Sequence, residues 1–120
     1  MESRWTDSEV TLQLLKNQVK EFISKRGWEK YHNPKDLAEA VCIEAAELLE
    51  VFQWSTVEEV SGWRNDASKM EGIREELADV LIYCLSMANT LDIDLSEAVF
   101  RKLEKNEEKY PVEKYFGRAR

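Results

Sequence analysis

Leu37, Val41, Glu44, Leu48 and Val51 recur at spacings of 4, 3, 4 and 3, which is the period of one face of an α-helix, and the third member of that face is a carboxylate. A helix over residues 35–54 can bury this stripe only by drawing Glu44 inward with it. A second helix, predicted over residues 68–90, repeats the situation. Its apolar stripe runs from Ile73 through Leu77, Val80, Leu81, Cys84 and Ala88 to Leu91, and Glu76, Asp79 and Tyr83 line its flank. Acids three apart on a helix lie roughly 60° apart and one turn removed, so Glu44 with Glu47, and Glu76 with Asp79, can each aim two carboxylates at one point. An ionised carboxylate buried without a partner costs several kcal/mol, and four that converge repel one another; a divalent cation is the natural neutraliser. All-oxygen donors select Mg²⁺, with Mn²⁺ as a substitute.

The rest of the chain supports helices. Its 120 residues include only 4 Gly and 2 Pro, and no alternating strand pattern or internal repeat is present, so the sequence predicts an all-α, four-helix-bundle-like fold in a single domain, 1–120, with a core at about 8–111. A first helix is expected from Thr6, which has capping-box spacing to Glu9, to Gly27, with Leu12, Leu15, Val19, Phe22 and Ile23 inward. An aromatic connector follows, then Asn33-Pro34 opens the second helix. Residues 55–69 read as a short helical turn at 57–61 and a loop around Gly62 and Asn65-Asp66. Asp94 and Glu97 cap a fourth helix to about Lys109, and an extended tail is expected after Pro111. Four apolar stripes in so short a chain favour association into a dimer or tetramer.

A formal charge of −7 argues against a general grip on a nucleic acid polymer, which needs a basic face. Cys42 and Cys84 have no metal-ligand or redox spacing and read as buried free thiols, in keeping with a reducing cytoplasm. No run approaches 18 apolar residues, and residues 1–4 open on polar sequence, so neither a membrane span nor a signal peptide is expected.

An acidic helical site that shares Mg²⁺ with substrate phosphates points to cleavage of a phosphate ester or anhydride. Di-iron chemistry fits less well, because carboxylate-bundle di-iron sites take His ligands from ExxH segments and the sole histidine here, His32, lies outside both acidic pairs. The competing reading is a non-catalytic helical interaction module whose acids are surface charge.

The segments Glu44-Ala-Ala-Glu47-Leu-Leu-Glu50-Val-Phe52-Gln53-Trp54 and Glu75-Glu76-Leu-Ala-Asp79-Val-Leu-Ile-Tyr83 resemble the MazG-like nucleotide pyrophosphohydrolases, within them most of all the dCTP pyrophosphatase branch. The connector Gly27-Trp28-Glu29-Lys30-Tyr31-His32-Asn33-Pro34 is similar to that branch's aromatic connector, and Lys102, Asn106 and Lys109-Tyr110-Pro111 resemble its closing motif. The resemblance spans about residues 8–111. It implies a dimeric or tetrameric all-α enzyme that converts a nucleoside triphosphate, with dCTP or a modified dCTP favoured over a broader dNTP or dUTP range, to the monophosphate and pyrophosphate.

On this resemblance Glu44, Glu47, Glu76 and Asp79 are the Mg²⁺ ligands. Glu47, at the edge of its stripe, is the candidate general base, the alternative being that it is a ligand only. Trp28 and Trp54 match base-stacking aromatics, with core anchoring as the alternative. Tyr83 is placed to crowd a sugar or simply to pack. Asn106 occupies a stripe position where an apolar residue is expected, which suits a polar ligand contact or a buried hydrogen bond. Lys109 is a candidate phosphate ligand, with Lys102 and His32 as weaker substrate-binding candidates.

Overall fold

The computed structural model describes residues 5–118, and every regular element among them is helical. The polar opening at 1–4 lies outside the described residues.

Helix α1 spans Leu12–Lys25. Its cap is Thr11, whose Oγ1 accepts from the Leu14 N–H at 3.1 Å, and not Thr6 as the sequence predicts. Thr6 instead closes a separate turn, its carbonyl accepting from the N–H groups of Glu9 and Val10 at 3.0 Å each. At the other end Gly27 takes φ +63°, and the N–H groups of Gly27 and Trp28 donate back to Ser24 and Ile23; this left-handed stop is where the sequence places it.

Helix α2 spans Pro34–Phe52, capped by Asn33 Oδ1 on the Asp36 N–H at 2.9 Å. A short α3, Val57–Ser61, and a 3-10 turn, Trp63–Asn65, lead to α4, Ala67–Leu91, capped by Asp66. Asp92 ends α4 at φ +52°. Helix α5 spans Leu95–Lys109, capped by Asp94, while the Glu97 carboxylate pairs with Arg101 at 2.7 Å. After Pro111 the chain forms a further turn of helix, α6 at Val112–Tyr115, where an extended tail was expected; the Pro111 carbonyl accepts from Lys114 and Tyr115.

The long α4 is the axis, with α2 packed along it and α1 against it. Asn89 Nδ2 donates to the Lys16 carbonyl at 2.9 Å and Lys16 Nζ to the Ile93 carbonyl at 2.8 Å, which ties α1 to the end of α4. Among the described residues only Ile23, Leu37, Leu85 and Ala88 form a buried apolar core. The expected stripe of α4 is therefore corrected in part: Ala88 is buried, but Leu77, Leu81 and Leu91 are about half exposed. The four-helix bundle is likewise not closed within one chain, because α5 makes at most marginal contact with the other long helices and leaves Val99, Phe100 and Leu103 open.

These open faces are large. A compact chain of this length has a radius of gyration of about 14 Å and exposes about 6,700 Å², whereas this one measures 17.5 Å and exposes 10193 Å².

Candidate active site

The stripe position of Glu44 on α2 and the flank position of Glu76 on α4 meet where the two helices pack. Carboxylate oxygens of Glu44, Glu47 and Glu76 all lie within 4.8 Å of one another. One oxygen of Glu44 and one of Glu76 are fully buried with no hydrogen-bond partner, the only such side-chain atoms among the described residues. A buried acceptor with no donor is normally avoided. Two of them, converging from different helices with a third acid beside them, fit a bound cation: the donor set is oxygen only, and the orphaned lone pairs are those a cation would take.

The electrostatics agree. Removal from water, then the neighbouring Glu47, then the charges of Asp79 and Glu76 push the Glu44 carboxyl up to about 7. Glu76 is raised as well, by burial first and then by Glu47 and Asp79. Asp79 stands outside the tightest trio yet close enough for its charge to act on both. The cluster is held at an electrostatic cost that packing alone does not require.

The remaining predicted residues divide into three groups. Tyr83, one turn beyond Asp79 on α4, stacks on His32 with ring centroids 6.0 Å apart and planes 14° apart. The connector is thereby fixed against the helix that carries two of the acids. Trp28, half exposed, stands edge-on to Phe22 at 5.9 Å, with the Arg26 guanidinium over the Phe22 ring at 3.7 Å. Trp54 is 89% exposed, so a core-anchoring role does not hold in this chain. Lys102, Asn106 and Lys109 lie on the projecting α5; Asn106 is half-buried, and Lys109 Nζ lies 5.3 Å over the ring of Tyr110.

Two features escaped sequence reasoning. Trp63 is part of the fold, stacked on Phe52 at 5.4 Å with Lys69 Nζ 4.7 Å over its ring. Ser86 is 2% exposed and hydrogen-bonds His32 Nδ1 at 2.9 Å. Its signal was present: Glu76, Asp79, Tyr83, Ser86 and Thr90 repeat at 3, 4, 3 and 4, a polar stripe beside the apolar one.

The chain belongs to the MazG-like family, whose profile matches residues 40–120. It is 37% identical over 112 residues to dCTP pyrophosphatase 1 of Bos taurus and 38% identical over 106 residues to that of Homo sapiens, alignments that cover 93% and 87% of this chain but 66% and 61% of those proteins. The chain thus spans about two thirds of the length of these curated relatives. Among solved structures it is similar to a pyrophosphatase from Archaeoglobus fulgidus DSM 4304, with a TM-score of 0.75 and 46% identity, covering 83% of this chain and 92% of that one.

Proposed function

We propose that this protein is a Mg²⁺-dependent nucleoside triphosphate pyrophosphohydrolase that converts a deoxynucleoside triphosphate, with dCTP or a modified dCTP favoured, to its monophosphate and pyrophosphate. The observation that carries the reading is the pair of buried, unpartnered carboxylate oxygens of Glu44 and Glu76 beside Glu47. The pyrophosphatase names of its relatives support it.

Glu44, Glu47, Glu76 and Asp79 would hold the ion, with Mn²⁺ as a substitute. When bound, Mg²⁺ supplies the positive charge that offsets the triphosphate and favours ionisation of water. Glu47, the exposed member of the trio, accepts the proton of the attacking water. Oxygen adds to phosphorus, the α–β phosphoanhydride bond breaks, and pyrophosphate leaves. Trp28 and Trp54 offer exposed ring faces for stacking a base, while Tyr83 and His32 form a wall beside Asp79 for the sugar.

The functional unit is a homo-oligomer, dimer or tetramer. The excess exposed surface, about 3,500 Å² per chain relative to a compact one, is ample for an obligate interface, which takes about 1,000–2,500 Å² from each partner. Lys102, Asn106 and Lys109 on α5 contact the phosphates within that assembly.

The test is pyrophosphate release from dNTPs, NTPs and 5-modified dCTPs, in Mg²⁺ and in EDTA, by wild type and Glu47→Ala. Metal-dependent release, confined to some bases and lost in the variant, is expected; no release from any nucleotide would leave a helical interaction module as the better reading.

A further inference from the structure

His32 is the only histidine of the chain and sits at the end of the connector, just before α2. Its ring is held on one side by Tyr83, stacked at 6.0 Å, and at Nδ1 by the Ser86 hydroxyl at 2.9 Å. Its backbone is held too, since Thr90 Oγ1 lies 3.1 Å from the His32 carbonyl and 3.0 Å from that of Ser86. Tyr83, Ser86 and Thr90 continue the polar stripe that begins with Glu76 and Asp79.

The Ser86–His32 contact has a direction. Ser86 is 2% exposed, and His32 Nδ1 is the hydroxyl's only hydrogen-bond partner among the described residues. If Nδ1 carried the proton, the Ser86 O–H would be buried with no acceptor, which is the costly arrangement; if Ser86 donates, both groups are satisfied. Burial holds the imidazole below its ordinary pKa, so at neutral pH the ring is uncharged and has one N–H to place.

We infer that Ser86 is a positioning residue: by donating to Nδ1 it locks His32 as the Nε2–H tautomer, stacked on Tyr83, so that the wall beside Asp79 presents one fixed N–H donor to a bound nucleotide. The locking follows from the packing alone, whereas its consequence for nucleotide binding rests on the function proposed above. Such an arrangement matters because a donor that must first select its tautomer and rotamer loses affinity in doing so. A pocket of about 250 Å³, bordered by His32, Ser86, Lys20, Glu29 and Asn89, leaves room for water to serve the ring in place of the hydroxyl, so Ser86→Ala should fold but lose the preference.

The sole histidine makes the experiment direct. In the ¹⁵N-labelled full chain, long-range ¹H–¹⁵N correlation above the imidazole titration should show the Nε2–H tautomer with Nδ1 as a hydrogen-bonded acceptor. Ser86→Ala should give a tautomer mixture and raise KM about fivefold at unchanged kcat, the order expected for one lost hydrogen bond of preorganisation. Thr90→Val removes a backbone clamp without touching the ring nitrogen and should leave the tautomer as in wild type. An Nδ1–H tautomer in wild type, an unchanged tautomer in Ser86→Ala, the same mixture in Thr90→Val, or a tautomer shift with no change in KM would each overturn the inference. A wild type that hydrolyses no nucleotide would refute the proposed function, and with it the link to binding, while the spectra would still decide whether Ser86 locks His32.

Discussion

Glu44 of α2 and Glu76 of α4 bring carboxylate oxygens within 4.8 Å of each other, and each keeps one oxygen buried without a donor. Nothing in helix packing demands this. Two acids that cost stability in the metal-free chain are held there by the surrounding stripes, and that cost sets several of the expectations below.

The metal-free protein should lose stability as pH rises. The Glu44 carboxyl is raised from 4.5 to about 7, so between those values the folded state binds more protons than the unfolded one. Stability therefore falls with increasing pH across that window and is level above it. Thermal unfolding in EDTA from pH 4.5 to 8 should show the slope, and Glu44→Gln should flatten it and unfold later than wild type at pH 8. A wild type that gains stability over the same range would contradict this assignment.

Added Mg²⁺ should reverse the deficit. At a hundredfold excess over the dissociation constant, a site formed only in the folded state contributes about 2.7 kcal/mol, which for a chain of this size corresponds to a Tm rise on the order of 10 °C. The rise should vanish in Glu44→Ala and Glu76→Ala. An equal rise in those variants would place the ion elsewhere.

Trp54 and Trp63 should separate binding from folding. Trp54 is 89% exposed, so Trp54→Ala should leave unfolding within about 0.5 kcal/mol of wild type and raise nucleotide KM roughly tenfold through lost stacking. Trp63 stacks on Phe52, and Trp63→Ala should lower Tm clearly. Calorimetry beside steady-state kinetics checks both; the reverse pattern would move the base-stacking role to Trp63.

Leu103 lies 52% exposed on α5, where a change in an isolated chain would cost little. Leu103→Glu should nevertheless shift sedimentation toward the monomer and remove activity. Unchanged association would mean that the oligomer closes over other faces.

Much of this protein was legible along the chain because the relevant signals are local. Asn33 and Asp94 cap helices where their side chains can reach the third N–H onward, and Gly27 stops α1 because it accepts φ +63°, whereas Asp66, expected in a loop, caps α4. Thr6 misled because Thr11 offers the same chemistry five residues later, and nothing local chooses between two good caps. Burial was harder to read: Leu77 and Leu81 have the period of core residues, yet periodicity identifies a face and not what covers it.

The sequence by itself determined the four long helices, their order and the intrusion of Glu44 into an apolar face, because each depends on spacing within one element. Only the tertiary structure decided that Glu44, Glu47 and Glu76 converge, that α5 stands away from the other long helices, and that Ser86 reaches His32 across 54 positions. Those relationships depend on how one helix is rotated and placed against another, and no periodicity within a single segment encodes that.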